Sequence, residues 1–133
     1  MKLAEYNALY FRGDWFVCPN PLCLDPYPLC EFNCAYCFIK QMEKTLLKRR
    51  KKIRPPPLKP ENLKFYLRNS GKRFSEALNH LPVYLGRKCE VFSRNQSKNR
   101  NTYEIMKVLD DCGIKIAVES KFAPIELMDN VFK

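Results

Sequence analysis

Short apolar runs and longer stretches of helical period divide the chain. "PLCLDP" (21–26) predicts a short strand, ended by Pro26 and Pro28, because proline interrupts a strand ladder. "PVYLG" (82–86) predicts a buried strand closed by glycine, and "IKIAVES" (114–120) a strand rich in β-branched residues. Between these two, "NTYEIMKVLDDCG" (101–113) places Ile105, Val108, Leu109 and Cys112 on one face at helical spacing. Asn101 reads as its cap, Glu104 as the capping-box partner and Gly113 as its stop. Cys112 is therefore expected in the core. Helix-compatible sequence also runs from about Ala35 to Arg50, and over "PENLKFYLRN", with Pro60 early and Gly71 just beyond. "PPP" (55–57) separates these two, and "PIELMDNVF" (124–132) predicts a further helix. Residues 1–20 show neither period and predict an irregular lead-in.

Strand and helix alternate, so the pattern predicts an α/β fold of parallel βα units. With 133 residues the chain suffices for one domain with a modest core. A parallel sheet of three strands keeps an open edge, and few helices are available to cover it. Val83, Leu85, Ile116 and Val118 are expected to be poorly shielded, and the isolated chain to self-associate or to need a partner.

Composition narrows the class. Hydrophobic residues make up 46% and charged residues 29%, as in folded globular proteins. No apolar run approaches the ~20 residues that span a bilayer, and Glu5 and Asp14 interrupt the N-terminal stretch. The expectation is a cytoplasmic protein without membrane contact. In that compartment structural disulfides are rare, so seven cysteines point to metal or catalysis. The net charge of +10 suggests attraction to polyanions such as nucleic acid. In "KRRKKIR" (48–54) six of seven residues are Lys or Arg. Such a run is either a solvated helix end or a phosphate clamp, and it lacks the interleaved aromatics of a stacking platform.

The chemistry concentrates in "CEFNCAYC" (30–37), where Cys30, Cys34 and Cys37 stand at C-x3-C-x2-C spacing. Three thiolates so close in sequence can converge on one centre. Tetrahedral zinc takes four ligands, and the single histidine, His80, has no partner at ligand spacing. Cys18, Cys23 or Cys89 could supply a fourth thiolate, or they are small buried thiols. A cubane cluster held by three cysteines keeps one iron open, which is chemically useful. Two readings follow: a cluster-bearing enzyme, and a non-enzymatic zinc or iron–sulfur module that binds nucleic acid through its charge.

The C-x3-C-x2-C run, with the aromatic Tyr36 before its third cysteine, resembles the signature of the radical S-adenosylmethionine enzymes. "LDPYPLCEFNCAYCF" is similar to the cysteine segment of the spore photoproduct lyase-like branch, where asparagine, proline and tyrosine precede the first cysteine. "LGRKCEVFSRNQ", the helix after it and "VESK" are similar to that branch's second half. In this register Glu90 replaces an aspartate, Phe92 a tyrosine and Gln96 a glutamate, while Leu29 stands where glycine commonly precedes the first cysteine. The resemblance spans roughly residues 21–121.

It implies a [4Fe–4S] cluster on Cys30, Cys34 and Cys37, with S-adenosylmethionine chelated at the open iron and cleaved to a 5′-deoxyadenosyl radical. Tyr36 would face the adenine side of the cofactor, Glu90 would receive the ammonium of its methionine moiety, and Ser120 would add a polar contact beside Glu119 and Lys121. The implied fold is a truncated partial TIM-type (βα) barrel of about three parallel βα units, with the cysteine loop after the first strand. A lyase activity, an electron donor such as a flavodoxin or ferredoxin, a nucleic-acid substrate and a second chain supplying further βα units complete what the resemblance implies.

Overall fold

Leu22, Cys23 and Leu24 are buried on both faces, the mark of a strand inside a covered sheet. The computed structural model describes residues 9–11, 20–28, 30–50, 57–69, 71–93 and 96–121. They form β1 (Leu9–Phe11), β2 (Leu22–Leu24), α1 (Phe38–Arg50), α2 (Pro60–Asn69), α3 (Gly71–His80), β3 (Val83–Leu85), α4 (Gln96–Asp111) and β4 (Ile116–Val118). The helix expected at 124–132, Cys18, Leu29 and residues 51–54 of the basic run lie outside the described residues.

The fold is α/β, built on an open four-stranded sheet in the order β1-β2-β3-β4. The three strands expected from the sequence pair in parallel, with Cys23 opposite Tyr84 and Val83 opposite Ile116. The lead-in expectation is corrected at residues 9–11. That segment is a strand, antiparallel to β2, with Leu9 opposite Leu24. Its register is fixed by tertiary partners: Leu9 joins the core, and the Tyr10 hydroxyl donates to Asp25 at the end of β2.

Helices fill the crossovers. Between β2 and β3 run α1, α2 and α3; between β3 and β4 runs α4. In α2, Pro60 opens the first turn, where its missing N–H costs nothing. Glu61 near the start and Arg68 in the last turn suit the helix dipole. Gly71 does not end the helical region but opens α3, which the sequence pattern did not reveal. Leu63 of α2 and Ile105, Met106 and Leu109 of α4 are buried, and α2 packs on α4.

Three expectations for α4 are corrected: the Asn101 cap, the Glu104 capping box and a core Cys112. The helix starts at Gln96, so Asn101 is internal and its amide donates to the Leu58 carbonyl instead of capping. Glu104 pairs with Arg100 one turn earlier. At the far end Gly113 N donates to the Asp110 carbonyl (2.8 Å) and Ile114 N to that of Leu109 (3.0 Å). With Gly113 at φ +70°, this is a Schellman stop. Cys112 is thereby the residue at which the chain leaves the helix, and it is exposed rather than core. Val83 and Leu85 are fully buried, against the expectation of poor shielding, while Ile116 and Val118 are half-buried.

Gly86 follows β3 at φ +98°, and a Cβ there would stand 2.5 Å from the Glu119 carbonyl oxygen. That carbonyl is backbone of the strand end beside it, where Glu119 N donates to the Leu85 carbonyl (3.1 Å). Gly86→Ala is expected to cost about 1–3 kcal/mol, from a left-handed backbone position and a forced separation of the two strand ends. A chemical-denaturation midpoint equal to that of the unmodified chain would count against this close approach.

Candidate metal centre

Each parallel strand delivers its following loop to the same edge of the sheet. After β2 comes the cysteine loop, after β3 residues 86–90, and after β4 residues 119–121. Together they line one cleft of about 340 Å³, at the carboxyl edge where α/β sheets gather their sites. Cys30, Cys34 and Cys37 all open on it, and so do Tyr36, Glu90 and Ser120. The six residues singled out from the sequence therefore share one cleft.

Locally the cysteine loop is held by a turn over Ala35 and Tyr36, in which Cys37 N donates to the Cys34 carbonyl (3.2 Å). α1 starts only at Phe38, three residues later than the sequence suggests. All three thiols are half-buried. The backbone N–H of Glu90 donates to Cys30 Sγ (3.4 Å), and Lys121 Nζ donates to Cys34 Sγ (3.3 Å). Such N–H donors are the outer contacts that orient and tune cysteine ligands. Among the described residues no three His, Cys, Asp or Glu side chains form a group gathered to hold a metal ion. Three thiols open on the cleft, two of them carrying an N–H donor.

Tyr36 is 76% exposed and belongs to no core. Its hydroxyl accepts from Lys121 Nζ (2.6 Å), and the same ammonium lies 4.2 Å from the ring centroid. The hydrogen bond to Tyr36 first, and then the Cys34 contacts, hold the Lys121 ammonium above the ordinary lysine range. Glu90 is only 6% exposed, so its carboxylate is held inside the fold and not at a solvated surface. Its Oε1 accepts from Phe92 N (3.2 Å) and from the Ser120 hydroxyl, and its Oε2 from Lys121 N (2.8 Å). Glu90 thus ties the loop after β3 to the end of β4.

Asp25, Arg87 and Lys88 escaped sequence reasoning. Asp25, buried at the end of β2, accepts from Lys88 N (2.8 Å) and the Tyr10 hydroxyl, and Cys89 Sγ points at it (3.8 Å). The available signal was one charged residue within the apolar "PLCLDP". Lys88 Nζ caps the Tyr10 ring at 4.1 Å, and Arg87 and Lys88 both line the cleft. Asp25 therefore anchors the loop that carries Glu90. Of the ambiguous cysteines, Cys23 and Cys89 are buried thiols.

Burial first, and then the Asp25 charge, pushes the Cys89 thiol up to about 12. Burial and the same carboxylate likewise raise Tyr10. Both groups bind their protons more tightly when folded. The unfolded chain releases a proton from Cys89 near pH 9 while the folded chain keeps it, so stability is full below pH 9 and declines from there toward pH 12. The slope approaches about 1.4 kcal/mol per pH unit for each such group. Denaturation midpoints measured from pH 7 to 11 are expected to hold and then fall, and Cys89→Ala to flatten the fall.

Among the described residues no helix is long and apolar enough to cross a membrane. Comparison with protein-family models, with curated proteins and with solved structures finds no match to this chain.

Proposed function

We propose that this chain is a radical S-adenosylmethionine protein, related to the lyase-like branch that its cysteine segment resembles. The observation that carries the reading is the shared cleft: Cys30, Cys34 and Cys37 open on it together with Tyr36, Glu90 and Ser120, at the carboxyl edge of parallel strands. The three cysteines would hold a [4Fe–4S] cluster. Bound there beside S-adenosylmethionine, such a cluster would supply the one-electron reduction of the sulfonium from which this family's radical chemistry starts.

The chain's own residues bind, orient and shield. Tyr36, braced by Lys121, offers a ring face to the adenine side. Glu90 and Ser120 give the cleft a hydrogen-bonding wall for the polar end of the cofactor. Phe32 and Phe38 line the same space with apolar surface, which limits water. Arg87, Lys88 and Lys121 add positive charge to the lining, which suits an anionic substrate such as nucleic acid. In this reading the sheet is part of a TIM-type (βα) barrel. β4, an edge strand among the described residues, is where a second chain adds further βα units.

The test is anaerobic reconstitution with iron and sulfide, followed by S-adenosylmethionine and dithionite. A brown protein with about four iron per chain that releases 5′-deoxyadenosine supports the proposal, whether alone or only with a second chain. A colourless protein that takes up zinc in place of iron sinks it.

A further inference from the structure

Asp25 takes the place of the asparagine that precedes the proline and tyrosine of the resembled cysteine segment, so a carboxylate stands where an amide is expected. It is 9% exposed, directly after β2. Its Oδ1 accepts from Lys88 N (2.8 Å) and lies 3.8 Å from Cys89 Sγ, and its Oδ2 accepts from the Tyr10 hydroxyl. An asparagine could meet the same neighbours, its carbonyl accepting from Lys88 N and its amide donating to Tyr10. Burying a carboxylate instead costs free energy, so what distinguishes Asp25 is charge. Burial first, and then that charge, holds the protons on Cys89 and Tyr10.

From Asp25 the cysteine loop is a short step away. Lys88 N is held by Asp25, and Glu90 N donates to Cys30 Sγ (3.4 Å). Between them, Cys89 lines the cleft together with Cys30, Cys34 and Cys37. Arg87 and Lys88 bring positive charge to the same wall, and Asp25 offsets it from the buried side. Negative charge near an iron–sulfur centre lowers its reduction potential, while hydrogen bonds to its sulfurs raise it. In an interior of low dielectric constant such a charge is poorly screened.

We infer that Asp25 is a positioning residue for the proposed cluster: its carboxylate keeps the Glu90 N–H on Cys30 Sγ, and its charge lowers the cluster's reduction potential. The inference rests on the proposed function, since the cysteines must hold a cluster for its potential to be set. Asp25 acts at one remove, through the Lys88–Glu90 backbone and through its field. The two roles separate on substitution. Asparagine keeps an acceptor for Lys88 N and loses the charge, whereas alanine loses both.

The test is an anaerobic redox titration of the protein reconstituted with iron and sulfide, beside its Asp25→Asn, Asp25→Ala, Tyr10→Phe and Asp111→Asn variants. Asp111 is exposed at the end of α4 that leads into β4, away from the cleft, and its substitution makes the same change of charge. Asp25→Asn should keep its colour and lose iron to a mild chelator no faster than the unmodified chain. At a fixed poise its ratio of reduced to oxidised cluster should be about tenfold higher, a midpoint ~59 mV more positive. Asp25→Ala should show that shift and also lose iron faster. Tyr10→Phe takes a donor from the carboxylate and keeps the charge, so its ratio should fall. Asp111→Asn should titrate as the unmodified chain does. An Asp25→Asn midpoint equal to that of Asp111→Asn overturns the role of charge. Should Asp25→Asn not fold, a Tyr10→Phe midpoint that does not fall does the same. Equal iron loss from Asp25→Ala and the unmodified chain overturns the hold on Cys30. These results leave the cluster standing, whereas a reconstituted chain without a chromophore overturns the cluster, and the role of Asp25 with it.

Discussion

Replacing Cys30, Cys34 or Cys37 singly by alanine is expected to abolish the visible chromophore of the reconstituted protein, with iron and sulfide falling to background. The size of the effect follows from the ligand count. A cubane that keeps one iron open has three protein ligands, and losing one exposes a second iron to solvent. Of the other described thiols only Cys89 also lines the cleft. Cys23 is completely buried within β2, and Cys89 is buried with its thiol directed at Asp25. Cys112 sits between α4 and β4, on the loop that enters β4 rather than the edge where the cleft opens. Cys112→Ala should therefore leave the chromophore intact and serves as the matched control. Since the three loop thiols are only half-buried, with Cys30 alone packed against the core, the variants should still fold, and far-ultraviolet circular dichroism checks this. A Cys34→Ala protein with unchanged iron, sulfide and colour would remove Cys34 from the ligand set.

What the sequence made legible follows the range of the interactions involved. The three cysteines and the Gly113 stop depend on neighbours a few residues away, so spacing alone finds them. The apolar face of α4 is visible for the same reason in Ile105 and Leu109. Its start is not. "QSKNRN" has no apolar period, and the segment is held from outside by Asn99 with Ser93, Asn101 with Leu58, and the Tyr27 hydroxyl on the Lys98 carbonyl. Asn101 looked like a cap because a cap and a tertiary amide contact use the same side chain. β1 was hidden likewise, being three residues that form a strand through their ladder to β2, with Leu9 opposite Leu24, 15 positions along the chain. In the site, Cys89 and Asp25 meet across 64 positions, a separation no local pattern encodes. Glu90 and Ser120 were legible as polar residues after strands, but their direct contact and burial were not.

Removing the Glu90 carboxylate should be the most damaging polar change in the cleft. Glu90→Ala leaves three donors without their acceptor: the Ser120 hydroxyl, Lys121 N and Phe92 N. Phe92 is completely buried, so water cannot easily replace that acceptor. Each unsatisfied buried donor costs about 1–3 kcal/mol, with partial relief where solvent reaches Ser120 and Lys121, so a loss of about 2–4 kcal/mol is expected. Glu90→Gln separates shape from charge. Its carbonyl oxygen can still serve Phe92 N and Ser120, but its amide would set a second donor against Lys121 N. The expected loss is about half that of the alanine variant. Function should suffer beyond stability, because Glu90 N also donates to Cys30 Sγ, and Lys121 reaches Cys34 and Tyr36. Freeing the loop after β3 from the end of β4 loosens contacts on two cysteines together. Urea denaturation of both variants gives the stability order, and cluster retention under mild chelation gives the second effect. If Glu90→Ala matches the unmodified chain in both measurements, the carboxylate is not the tie between these loops. If stability falls while chelation rates stay equal, the tie is structural and does not reach the cysteines.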